Sequence, residues 1–140
     1  MKANHQFSIA VHLMTCLGTR PDLEMTSKEL SLSINTSPSF IRRTLSKLAK
    51  AGLVKTTKGK SGATILGRDA ARISMLDIYE AVEAPKAFAI HKYPEQKVCP
   101  VSCGIKSSIQ MVLDETQVSM EQGLKKVTLA KVVSETRKNA

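Results

Sequence analysis

The chain has 140 residues, of which 42% are hydrophobic, 4% are aromatic and none is tryptophan. This composition excludes wholesale disorder and favours an aliphatic, helical core. The 21 Lys and Arg residues against 12 Asp and Glu give a net charge of +9, which favours a polyanionic partner.

The sequence also predicts where the protein resides. No apolar run approaches the roughly 18 residues that a membrane span needs, and the N-terminus lacks the charged start and apolar block of a signal peptide. Three cysteines, an odd number, do not make a disulfide framework. We therefore expect a cytoplasmic protein with reduced thiols and no membrane partner.

The N-terminal region predicts two helices. Apolar residues at helical spacing over residues 5–17 indicate the first helix, and Gly18 is expected to stop it. Thr26 and Glu29 have the spacing of a capping box at the start of a second, shorter helix, which Asn35 breaks.

A third helix is predicted almost directly after the second. Ser37 is expected to cap it, Pro38 stands at its first position, and Gly52 follows its end. Its buried stripe consists of Ile41, Leu45 and Leu48. Two helices joined by a turn of about three residues, the second one basic, indicate a helix-turn-helix whose second helix enters the major groove.

A basic hairpin is predicted next. Residues 53–56 and 63–66 are prone to form strands, and the intervening loop 58–62 contains two glycines. A hairpin in this position is a wing, which lies along the DNA backbone or in the minor groove. The loop lacks the spacing of a nucleotide-binding loop, and no Ser-His-Asp or paired-carboxylate arrangement occurs, so no enzyme is expected.

The excess positive charge is concentrated in one segment. Residues 36–72 carry nine basic residues and a single acid, a net of +8, whereas residues 1–35 are neutral and residues 73–140 carry +1. A solvated surface is one explanation, but it gives no reason for acids to be excluded. A nucleic-acid partner explains the exclusion better, and no broad apolar face accompanies the charges as a membrane surface would require.

The C-terminal half predicts a long helix. Ser74 and Asp77 cap a helix that ends at Pro85, and prolines keep residues 85–103 irregular. Residues 104–127 are periodic over about six turns. Packing within the chain is one interpretation, but dimerisation is favoured because a helix-turn-helix protein that reads a palindrome needs a second subunit. The predicted interface residues are Ile105, Ile109, Val112, Leu113, Thr116 and Met120.

Several motifs together resemble the Rrf2 family of bacterial transcription regulators over nearly the whole chain. They are Ser37-Pro38-Ser39-Phe40-Ile41, Leu45-x-x-Leu48-x-x-Ala51-Gly52-Leu53-Val54, a Gly-bearing wing and Ile73-Ser74-Met75-Leu76-Asp77-Ile78-Tyr79-Glu80-Ala81-Val82-Glu83. The segment His91-x-x-Pro94 to Cys99-Pro100-Val101 fits a branch of the family. The resemblance implies a homodimer, a winged helix-turn-helix, operator binding and, in several members, an iron–sulfur cluster.

The sequence departs from this family in its cysteines. Cluster-binding members carry three cysteines before the long helix, whereas only Cys99 and Cys103 lie there in this chain and Cys16 lies in the first helix. A cluster would need a third ligand of another kind, such as His91. We therefore expect no cofactor and no metal.

The second departure is the pair Arg42-Arg43, which stands where many members carry Glu-Gln-like residues, so a different operator is expected. An Arg side chain in the first turns of the recognition helix can form a bidentate contact with the O6 and N7 edge of guanine. Phe40 is expected in the core rather than stacked on a base. The predicted DNA-binding residues are Ser37, Ser39, Arg42, Arg43, Lys47, Lys58, Lys60 and Ser61.

Cys99 and Cys103, four residues apart, are the pair of residues in the sequence with possible redox chemistry. Both lie near the N-terminus of the long helix, whose dipole stabilises a thiolate, and this suits redox sensing. Two ordinary reduced cysteines are an equally good interpretation.

The sequence thus predicts a mainly α fold with a small β-hairpin. Its parts are a winged helix-turn-helix domain (1–84), an irregular sensor loop (85–103), and a dimerisation helix with a C-terminal helix (104–140). The predicted function is repression through a palindromic operator in double-stranded DNA, bound by a homodimer that responds to redox or electrophile stress through Cys99. The alternatives are a regulator that senses a small ligand between the domain and the dimer helix, and a winged-helix adaptor that binds a protein.

Overall fold

The computed structural model describes residues 5–57 and 63–140. Within them the chain is mainly α with one small antiparallel sheet, as predicted. The helices are α1 (Gln6–Thr19), α2 (Ser27–Ile34), α3 (Pro38–Lys50), α4 (Met75–Ala81), α5 (Pro100–Lys125) and α6 (Leu129–Asn139). The strands are β1 (Val54–Thr56) and β2 (Thr64–Leu66), and a short 3₁₀-helix spans Ala70–Arg72.

Helix α1 packs against α6 and continues through the glycine that was predicted to stop it. A Cβ atom at Gly18 would lie 2.8 Å from Cγ2 of Val133 on α6. The prediction of a stop at Gly18 is therefore wrong, because glycine serves there to let α6 approach α1 closely. The helix ends one residue later, at Thr19.

Helices α2 and α3 form the predicted helix-turn-helix, and local hydrogen bonds define their ends. Thr26 Oγ1 accepts a hydrogen bond from the Glu29 amide at 3.1 Å. Asn35 adopts the left-handed conformation (φ 63°) directly after α2. Ser37 Oγ then accepts from the Phe40 amide at 3.2 Å, so α3 begins where the sequence predicts.

A glycine motif joins the end of α3 to the wing. Gly52 has a φ of 77°, and the Leu53 amide donates to the Leu48 carbonyl at 3.0 Å. After β2, the Gly67 amide donates to the Leu53 carbonyl at 2.8 Å. A Cβ atom at Gly67 would lie 2.3 Å from the Gly52 carbonyl oxygen. Only glycine therefore allows the chain after β2 to pass this close to the Gly52 backbone. The wing tip, residues 58–62, lies outside the described residues.

The long helix α5 begins at Pro100, four residues before the predicted start at Gly104. Cys99 caps it, since its Sγ accepts a hydrogen bond from the Ser102 amide at 3.4 Å, and proline suits a first helical position. Cys103 therefore lies inside the helix, and the irregular segment ends at Cys99 rather than at residue 103.

The core is aliphatic, as the composition predicts, and lies between the short helices. Its fully buried members include Leu13, Met14, Ile41, Leu48, Ile73, Ile78 and Leu129. Ser74 and Asp77 form the predicted reciprocal capping box that begins α4. By contrast, α5 contains no buried residue. Among the described residues, no helix is both long and apolar enough to cross a membrane.

Candidate nucleic-acid interface

Helix α3 separates a buried face from an exposed polar face. Its buried residues are Ile41, Thr44, Leu45 and Leu48. Ser39, Arg42 and Arg43 are exposed, so the structure places these three predicted DNA-binding residues at the surface of one helix. Thr44 is polar, but its hydroxyl donates to the Phe40 carbonyl at 3.1 Å and is therefore satisfied in the core.

Phe40 differs from its prediction as a core residue. The residue is only partly buried, and its ring lies 5.5 Å from Cζ of the Arg43 guanidinium. This distance is within the range of a cation–π contact. The apolar period of α3 gave no sign of this contact, but the Phe-x-x-Arg spacing could have predicted it, because residues three apart are neighbours on a helix.

The positive charge of α3 has no acidic partner in the part of the chain that the structure describes. The helix carries no Asp or Glu. The ion pairs of the described residues are Arg68–Asp77 at 4.0 Å and Lys138–Glu135 at 3.6 Å. Arg68, one of the nine basic residues of segment 36–72, therefore contacts α4, whereas the cations of α3 remain available to a polyanion.

The other predicted DNA-binding residues have different surroundings. Ser37 accepts the capping bond of α3, and Lys47 is half-buried near the end of that helix. Lys55, which was not among the predicted contacts, is exposed on β1 at the base of the wing. The predicted wing contacts Lys58, Lys60 and Ser61 lie outside the described residues.

Two exposed thiols lie at the start of α5, at the far end of the irregular segment. Cys99 and Cys103 are both free and exposed. Cys103 Sγ lies 3.7 Å from the carbonyl oxygens of Gln96 and Lys97, and Ser102 Oγ accepts from the Gln96 amide at 2.7 Å. The thiol side chains are thus part of the hydrogen bonding that fixes the start of α5.

Among the described residues, the two thiols at the start of α5 have no third potential metal ligand beside them. Cys16 is on α1, where its Sγ lies 3.3 Å from Ser33 Oγ. Across residues 5–57 and 63–140 no three His, Cys, Asp or Glu side chains lie close enough together to hold a metal ion. An iron–sulfur cluster or a structural zinc site requires more ligands than the pair at the start of α5 supplies.

Helix α5 presents two sides that differ in burial. Leu113 and Met120 are half-buried on the side that also carries Leu124, which packs against the core. The other predicted interface residues, Ile105, Ile109, Val112 and Thr116, are exposed. Their spacing of four, three and four residues is the heptad spacing of a helix–helix seam. The structure thus divides the predicted interface residues between the two sides.

The irregular segment and α5 are joined to the winged domain through Tyr79 of α4. Its hydroxyl donates to the Pro85 carbonyl at 2.6 Å and accepts from the Gln117 side chain at 3.1 Å. Gln117 in turn accepts from the Ala87 amide at 3.0 Å. The Tyr79 ring stacks edge-on with Phe7 of α1, with centroids 5.8 Å apart. These contacts connect the irregular segment and α5 to α4 and α1.

Comparison with known proteins identifies related sequences. The model of a family described as "Rrf2: Iron-dependent Transcriptional regulator" matches residues 3–135. A protein that carries the name HTH-type transcriptional regulator YwnA, from Bacillus subtilis (strain 168), is 32% identical over 132 residues, which cover 94% of this chain and 96% of YwnA. These names are those of regulators and not of enzymes.

Solved structures share the fold. The global cysteine regulator CymR of B. subtilis superposes with a TM-score of 0.70 at 20% identity, over 96% of this chain and 98% of CymR. A transcriptional regulator from Lactobacillus plantarum superposes with a TM-score of 0.81 at 24% identity, over 95% of this chain and 90% of its own. At these identities the likeness establishes the fold alone, and it agrees with the predicted winged-helix architecture with a long C-terminal helix.

Proposed function

This chain belongs to the Rrf2 family of transcriptional regulators, and from that premise we propose that it is a cytoplasmic repressor that binds a palindromic operator as a homodimer. The observation that carries the proposal is the exposed face of α3, on which Ser39, Arg42 and Arg43 stand together with no acidic partner among the described residues. Arginine can read the O6 and N7 edge of guanine, and serine and lysine can hold phosphates.

The proposed dimer explains the exposed side of α5. Ile105 and Ile109 are each 40% exposed and Val112 is 58% exposed, in one row along the helix. A contiguous apolar row of this kind on a soluble protein indicates an interaction surface. A second copy is the fitting occupant because a two-fold pair of recognition helices matches the symmetry of a palindrome.

The proposal is tested by selecting bound sequences from random duplex DNA with the purified protein. We expect enrichment of an inverted repeat whose half-sites lie about 10 base pairs apart, or a multiple of that spacing, because two-fold related recognition helices enter successive major grooves on one side of the duplex. Absence of enrichment over random duplex would contradict DNA reading. It would then favour the alternative of a winged-helix adaptor that binds a protein.

Cys99 is proposed as the residue that responds to redox or electrophile stress, without a cluster. Its Sγ is exposed and accepts the Ser102 amide in the cap of α5. Peroxide converts a thiol to a sulfenic acid and releases water, and an electrophile forms a carbon–sulfur bond with loss of the thiol proton. Either product changes the sulfur atom that caps α5. The same helix contacts Tyr79 of the winged domain through Gln117. The start of α5 and the spacing of the recognition helices would shift together.

We expect that mild peroxide releases the wild-type protein from its operator, whereas Cys99→Ser stays bound because a hydroxyl can still cap α5 but is not oxidised. Cys16→Ser is the matched control and should still be released, since Cys16 lies on α1. Fluorescence anisotropy on the selected duplex measures both. Equal release of Cys99→Ser and wild type would contradict the assignment and favour a small-ligand sensor, and visible-region absorbance of the purified protein would indicate a cluster.

A further inference from the structure

We propose that Phe40 is a positioning residue that holds the Arg43 guanidinium ready to read one guanine in each half-site. The inference rests on the proposed DNA binding and extends it to the choice of base. Its starting point is the 5.5 Å distance between Arg43 Cζ and the Phe40 ring centroid. Phe40 and Arg43 are three residues apart on α3, so their side chains are neighbours, with Phe40 half-buried and Arg43 exposed.

The backbone that carries the ring is fixed from both sides. The Phe40 amide donates to Ser37 Oγ at 3.2 Å, and the Phe40 carbonyl accepts from the Thr44 hydroxyl at 3.1 Å. Thr44 is only 2% exposed, so this second bond is anchored in the core. Phenylalanine itself has only two side-chain torsions. The ring is therefore a rigid support for a longer and more flexible side chain.

The cation–π contact leaves the reading edge of the guanidinium free. The Phe40 ring carries no oxygen or nitrogen, so it occupies none of the five N–H donors of Arg43 with a conventional hydrogen bond. The pair of parallel donors needed for O6 and N7 of guanine therefore remains available. Because the contact restricts the rotamers of Arg43 before DNA is bound, less side-chain entropy is lost when the base contact forms.

The cation–π contact distinguishes the two adjacent arginines. The described ring contact is made by Arg43, and Arg42 differs from it by about 100° around the helix. We therefore assign guanine reading to Arg43 and a contact with less stringent geometry to Arg42. Lysine replaces Arg43 only in part, because an ammonium group has no flat face for the ring and no rigid pair of parallel donors for guanine.

The test is the base preference at every operator position, measured by competition binding for wild type and four variants. Arg43→Lys should lose about 5- to 150-fold in preference for guanine at one position of each half-site. Phe40→Leu should lose about 2- to 5-fold at that same position, because the cation–π contact is removed but Arg43 remains. Phe40→Tyr keeps the ring and should keep the preference. Arg42→Lys is the comparison: it should change the affinity or the preference at another base pair, but not the guanine preference assigned to Arg43.

A double variant separates positioning from a general structural effect. Phe40→Leu combined with Arg43→Lys should be no less selective than Arg43→Lys alone, because without the guanidinium the ring has nothing to position. Uniform weakening of all sequences by Phe40→Leu, or a loss of preference at another base pair, would overturn the inference. Thermal melting of each variant establishes that it is folded before its preferences are compared.

Failure of the role proposed for Phe40 can be distinguished from failure of the proposed function. If wild type selects no sequence, the proposed function itself fails. If wild type selects a palindrome and Phe40→Leu retains the full guanine preference, the proposed function stands and the role of Phe40 is refuted.

Discussion

Affinity for duplex DNA is expected to fall by about 10³-fold or more when the salt concentration rises from 50 to 200 mM. The reason is the displacement of counterions by protein cations, each of which neutralises one phosphate. Segment 36–72 carries a net charge of +8 per chain, and among the described residues its ion pair is confined to Arg68 and Asp77. A dimer therefore has enough unpaired cations for the six to ten phosphate contacts that produce such a slope.

Fluorescence anisotropy at a series of salt concentrations measures this slope on the selected operator and on random duplex. Lys47→Ala should reduce the slope of log affinity against log salt concentration by about one for each phosphate contact that it removes. It should weaken binding to the operator and to random duplex alike. Lys138→Ala is the control, since Lys138 is paired with Glu135 on α6. A flat dependence on salt would contradict a role of the basic segment in DNA binding.

Local signals predicted the parts of the fold that depend on neighbouring residues. Thr26, Ser37 and Ser74 each accept the amide hydrogen bond expected of a helix cap, because such a bond needs only a hydroxyl three residues before the amide. Gly52 follows α3 with positive φ for an equally local reason. The turn between α2 and α3 was predictable in the same way.

Features that depend on distant residues were not predictable from one sequence. Gly18 looked like a stop, but its role is set by Val133, more than a hundred residues away in the chain. Arg68 counted towards the basic segment, but the fold places it beside Asp77. The sequence does not indicate the start of α5 at Pro100, because cysteine is an uncommon cap and the clear apolar period begins only after Gly104.

In the candidate site the signals are local. The apolar period of α3 correctly predicted that Arg42 and Arg43 would be exposed, because it fixed which side of the helix faces the core. That period does not place the Phe40 ring, since an aromatic side chain at the edge of an apolar stripe can face either way, but the Phe-x-x-Arg spacing is compatible with the observed contact. The role of Cys99 stays a prediction because it depends on a reaction with an oxidant or electrophile, and the role of the seam on α5 stays a prediction because it depends on a second chain.

Replacing Val112 by Asp should convert the protein into monomers. Val112 is 58% exposed in the middle of the row formed with Ile105 and Ile109. In a two-fold dimer both copies carry the substitution, so two carboxylates lie in the seam. Burying unpaired charges of the same sign costs several kcal/mol. Loss of the partner also removes the second half-site contact, so operator affinity should fall by about 10²- to 10⁴-fold.

Light scattering gives the mass in solution, and anisotropy on the palindrome gives the affinity of the same samples. Val118→Asp is the matched control, because Val118 is 52% exposed on the same helix but lies about 120° away from Val112. Asp114 and Glu115 lie on either side of Val118 around the helix and are both exposed, and acidic side chains are seldom buried in an interface. Val118→Asp should therefore remain dimeric and bind normally. A dimeric Val112→Asp variant would exclude the seam as the interface, and a monomeric variant with undiminished operator affinity would show that DNA reading does not need two linked subunits.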